Sequence, residues 1–121
     1  MVLEPRQFLE VANTLLNDSN YCEEPRWRTA ISRAYYAAFL TAKKRLEELN
    51  YSFADVPRLH RDVIDIVMKR DSTVGNKLET LFNYRVDADY KLKAFISPDL
   101  GNNCTRLSEL IIRKIEEMKR E

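Results

Sequence analysis

Apolar residues recur every three or four positions along most of the chain, the spacing that lines up one buried face on an α-helix. Phe8, Val11, Ala12, Leu15 and Leu16 predict a first helix over residues 4–16, closed by the polar run Asn17-Asp18-Ser19-Asn20. Ile31, Tyr35, Ala38, Ala42, Leu46 and Leu49 predict a longer one over residues 25–49. Pro25 fits its first turn, where a missing N–H has no partner to lose. At 1.5 Å per residue this helix is roughly 37 Å long, the expected spine of the fold. Ala30, Ala34, Ala37 and Ala38 keep its middle thin, so that a neighbour can approach closely.

A loop over 50–56 follows, and Pro57 opens a third helix to about residue 69, buried through Leu59, Val63, Ile66 and Val67. Asp71-Ser72-Thr73 offers N-cap candidates for a fourth helix over 74–91, whose stripe is Val74, Leu78, Leu81 and Phe82. Ser97-Pro98-Asp99 breaks the pattern, and the last helix covers 100–119 with Leu107, Leu110, Ile111, Ile115 and Met118 inward. The expected fold is all-α: one domain over residues 1–121, an antiparallel up-and-down bundle of about five helices on a four-helix core.

Composition agrees with this picture. The chain has 121 residues with only two glycines and four prolines, too few turn residues for a β-rich fold of that length. Net charge is +1, from 20 basic against 19 acidic residues, so binding of nucleic acid by bulk attraction is not expected and any anion site must be a local cluster. Runs such as Lys43-Lys44-Arg45 and Arg113-Lys114 are interleaved with glutamates and read as solvated faces. No apolar stretch approaches the ~20 residues that span a bilayer. Residues 1–6 carry Glu4 and Arg6 and no signal-peptide core, so a cytoplasmic location is expected. Cys22 and Cys104 are read as reduced thiols. With a single histidine and two isolated cysteines, no structural metal and no cofactor are expected.

The informative positions are charges where periodicity calls for apolar groups. On the fourth helix the stripe that passes through Leu78, Leu81 and Phe82 next reaches Arg85 and Asp89, which are four apart and can pair. A charged pair on a core-facing side costs desolvation unless it is well hydrogen-bonded. On the second helix Arg33 shares a face with Ala30, Ala37 and Leu40, with Tyr36 beside it. Arg33 and Arg85 can therefore face one pocket rimmed by Tyr36, Asp89 and Tyr90, suited to a phosphate or carboxylate that the guanidinium fork grips in bidentate fashion. The bland alternatives are a structural ion pair for Arg85 and Asp89, core edges for Tyr35, Tyr36 and Tyr90, and a capping or surface role for His60.

The segment Ser32-Arg33-Ala34-Tyr35-Tyr36-Ala37-Ala38-Phe39 resembles the second-helix signature of a prokaryotic group of HEPN domains. Arg85-Val86-Asp87-Ala88-Asp89-Tyr90 resembles the R-x-x-A-D-Y element that follows it there, and His60 between them matches a histidine often found in the intervening helix. The resemblance covers roughly residues 25–90. It implies a helical bundle that forms a homodimer around a shared cleft and an association with nucleotides or RNA. Many such domains are paired with a minimal nucleotidyltransferase in toxin–antitoxin-type pairs, and others are metal-independent endoribonucleases with an R-x4-6-H motif.

This sequence lacks that motif. Five to seven residues after Arg85 stand Tyr90, Lys91 and Leu92, and at the same distances before His60 stand Asp55, Ala54 and Phe53. Attack by a 2′-hydroxyl needs a base near neutral pH, which histidine at about 6.5 supplies and tyrosine near 10 does not. The leading expectation is thus a binding module holding phosphate through Arg33, Tyr36, Arg85, Asp89 and Tyr90, with no catalytic residue. The alternatives are a ribonuclease using His60 and Arg85, and a purely structural dimerisation bundle.

Overall fold

The computed structural model describes residues 3–53 and 57–119; residues 54–56 of the expected second loop lie outside that range. Five helices form: α1 (Arg6–Asn17), α2 (Glu23–Glu48), α3 (Leu59–Arg70), α4 (Ser72–Tyr90) and α5 (Pro98–Glu116). No strand occurs among the described residues.

Local chemistry sets the ends. Helix α2 starts two residues before Pro25, with Glu23 and Glu24 in its first turn, where carboxylates favour the positive end of the helix dipole. The carboxylate of Asp71 accepts from the amides of Thr73 (3.1 Å) and Val74 (3.2 Å), so this one residue ends α3 and caps α4. Ser97-Pro98-Asp99 is a start signal rather than a gap. The Ser97 hydroxyl accepts from the Leu100 amide at 3.1 Å, Pro98 takes the first turn, and α5 begins two residues before the expected point.

Side-chain pairs fix the directions. Ser32 meets Asp89 and Tyr36 meets Arg85, so α2 and α4 are antiparallel. Ser108 donates to the Ala34 carbonyl and Arg45 to that of Met118, so α5 runs parallel to α2, while α1 is antiparallel to both. Helices α1, α2, α4 and α5 form the four-helix core. Helix α3 runs alongside α2 in the same direction, with His60 beside Tyr35 and Arg70 beside Tyr51, and turns back as a tight hairpin onto α4. That hairpin needs Gly75: a Cβ there would fall 2.4 Å from the Met68 Cα.

One buried cluster joins the helices, centred on Ile31, Tyr35, Phe39, Leu46, Ile64, Leu78, Leu81 and Ile111. Ala30, Ala34, Ala37 and Ala38 are all fully buried, and the close Ser108–Ala34 contact at 2.7 Å uses the thin middle they create. Two expected core positions are exposed. Leu9 and Ala12, not Val11, centre the inner face of α1, and Ile112 takes the place given to Leu110 on α5. In each case a run of adjacent apolar residues allowed the face to be drawn about one position off.

Candidate functional site

The antiparallel packing lays the first half of α2 against the last two turns of α4, and a chain of polar contacts crosses the seam. Arg33 Nη2 donates to the Ser32 hydroxyl at 3.1 Å, which donates to Asp89 Oδ2 at 3.1 Å. The same carboxylate oxygen stands 2.9 Å from Arg85 Nε, and Arg85 Nη2 donates to the Tyr36 hydroxyl at 2.8 Å. Arg85 Nε is buried and out of line for a hydrogen bond, so its tie to Asp89 is Coulombic attraction at short range.

Rings complete the cluster. Both guanidinium carbons lie over the Tyr36 ring, Arg33 at 4.7 Å from its centroid and Arg85 at 5.2 Å. Arg33 also reaches Phe8 of α1 (5.5 Å), and Arg85 reaches Tyr35 (5.8 Å) and Tyr90 (5.5 Å). The electron-rich ring faces offset part of the cost of holding two cations together. The Arg85 side chain is 12% exposed and that of Asp89 25%. Tyr90 is 67% exposed and forms the open rim.

The structure therefore brings Arg33, Tyr36, Arg85, Asp89 and Tyr90 together as the sequence suggested. His60 departs from its expected capping or surface role. Its ring lies 4.2 Å from Phe39 in a stacked arrangement, and its Nδ1 shares a 2.7 Å hydrogen bond with the Tyr35 hydroxyl. Burial, followed by the charge of Arg85, holds His60 below its ordinary pKa, so the neutral imidazole prevails at neutral pH. Burial pushes the Tyr35 phenol far above its usual range, leaving it a permanent neutral partner. Both thiols are free, Cys22 exposed and Cys104 buried, and burial pushes the latter up to about 12.

Two contributors escaped the sequence reading. Ser32 links Arg33 to Asp89; its place in the second-helix signature, one turn before Tyr36, is the signal that could have marked it. Arg28 is the second. Its Nη1 donates to the carbonyls of Asp87, Ala88 and Lys91, its Nη2 to those of Leu92 and Ala94, and Glu24 pairs with it at 2.9 Å. It anchors the end of α4 that carries Asp89 and Tyr90. Beside it a groove of about 490 Å³ runs between Arg28, Thr29, Asp89 and Leu92.

The chain as a whole matches a known family model. The family model described as HEPN domain covers residues 5–118. The chain belongs to the HEPN domain family. No curated protein matches the chain. Within this HEPN domain the arrangement gathers two guanidinium groups, one carboxylate and an aromatic rim. Among the described residues no group of three or more His, Cys, Asp or Glu side chains is placed to hold a metal ion, and no helix is long and apolar enough to cross a membrane.

Proposed function

We propose that this HEPN domain binds a phosphate group of RNA or of a nucleotide at the cluster of Arg33, Tyr36, Arg85, Asp89 and Tyr90, and acts as a homodimer. One observation carries this reading. Two guanidinium groups share the Tyr36 ring while a single carboxylate, Asp89, sits between them, and among the described residues Arg33 pairs with no acid at all. The surplus positive charge lies at the seam, next to an exposed tyrosine that can stack on a base or donate to phosphate. A minimal nucleotidyltransferase partner, in a toxin–antitoxin-type pair, rests on the family resemblance alone.

Fluorescence anisotropy with a short labelled RNA, and with ATP as competitor, tests the site. Arg33→Ala should weaken binding at least about tenfold, the loss of one charge-assisted contact, with the helical circular dichroism unchanged. Equal affinity in that variant would remove the proposal. Light scattering should give twice the 14.3 kDa chain mass.

A second reading, a ribonuclease using His60 and Arg85, draws support from the neutral state of His60 and the influence of Arg85 on it. RNA incubated with the protein in EDTA separates the two: cleavage abolished by His60→Ala favours the enzyme, and intact RNA favours the binder.

A further inference from the structure

The opposite end of the bundle carries a second concentration of charge. About fourteen residues of α4 separate Arg85 from Asp71, some 20 Å along the axis. There the last turns of α3 and α5 converge on an open cleft of about 530 Å³, within the usual size range for ligand sites. Lys69, Arg70, Lys114 and Lys119 line it, against Asp71 and Glu117.

These cations are poorly neutralised. The Asp71 carboxylate is engaged by the amides of Thr73 and Val74, and Glu117 reaches Lys114 only at 3.9 Å. Lys69, Arg70 and Lys119 form no ion pair among the described residues. Arg70 is nonetheless fixed in place: it donates to the Lys119 carbonyl at 2.6 Å and to the Tyr51 hydroxyl at 3.4 Å, and its Nε is buried with no partner. Basic residues in a last turn favour the negative end of a helix, which accounts for Lys69, Arg70 and Lys114 one at a time. It does not account for their meeting around one concavity, with Lys119 beyond the helix end.

We infer that this cleft is a second anion site, separate from the Arg33–Arg85 cluster, built for a compact polyphosphate such as the phosphate tail of a nucleotide. Four cations against two acids leave the lining at +2 (4 − 2), which a ligand of two or more negative charges matches. A phosphodiester strand spreads its charges along a path, whereas these cations all line one concavity, as a compact group requires.

Calorimetric titration with inorganic tripolyphosphate in about 100 mM salt, where surface charges beyond roughly 10 Å are screened, tests this. The titration is run in the Arg33→Ala chain, in which the first cluster is weakened, and the paired variants assign what binding remains. Saturable binding is expected, weakened at least tenfold by Lys69→Gln with Lys114→Gln and less than twofold by the charge-matched Lys77→Gln with Arg106→Gln. No binding in the Arg33→Ala chain, or equal loss in both double variants, overturns the inference. RNA affinity in Arg33→Ala reports on the first site alone, so either proposal can fail without the other.

Discussion

Arg85 and Arg33 stand over the same tyrosine ring, yet their charges are handled in opposite ways. Arg85 is enclosed, with a carboxylate at 2.9 Å, a phenol at 2.8 Å and three rings around it. Arg33 has a serine hydroxyl and two rings but no acid among the described residues. A charge matched inside the protein belongs to the fold, because removing either member strands the other in a poorly solvated place. A charge left unmatched at a seam adds little to stability and stays available to a ligand.

That contrast is broken most severely by Arg85→Ala. The variant leaves Asp89 with only the Ser32 hydroxyl and should cost about 2–4 kcal/mol, below the ceiling for a fully enclosed pair because Asp89 retains some solvent. Urea denaturation measures it, and a loss under about 0.5 kcal/mol would show that Arg85 is not structural. The next effect is the pH dependence beside it. His60 is harder to protonate folded than unfolded, so its contribution is complete above the unfolded pKa near 6.5 and is lost as pH falls below that value. Between pH 7.5 and 5.5 the wild type should lose stability, and His60→Gln should flatten that decline; parallel curves would mean that the imidazole is freely solvated. The smallest effect is that of Arg33→Ala on folding, at most about 1 kcal/mol, the scale of its cation–π contacts. A large drop in Tm there would erase the distinction between the two arginines.

What could be read from sequence follows the reach of each interaction. The Arg85–Asp89 pair was legible because four residues on one helix fix its geometry, whatever else the chain does. The helices were legible from their stripes. Ser32 bonding Asp89, Tyr35 bonding His60, and Arg28 gripping residues 87–94 depend on how α2 slides against α3 and α4, which no local spacing encodes. His60 shows the cost: with one histidine near a helix start, a cap was the reasonable expectation, and only its neighbour on α2 draws it inward. The start of α5 was placed two residues late for a different reason, since the same residues that break one pattern also begin the next.

The grip of Arg28 carries a mechanical consequence. The final carbonyls of a helix ordinarily point into solvent, and the last turn frays on fast timescales. Here five carbonyls between residues 87 and 94 are tied to a guanidinium rooted near the start of α2. The end of one helix and the beginning of another thus move as a single body, so Asp89 and Tyr90 keep their place beside Arg85 through thermal fluctuation. Deuterium should enter the backbone amides of that terminal turn only as slowly as α2 itself lets go.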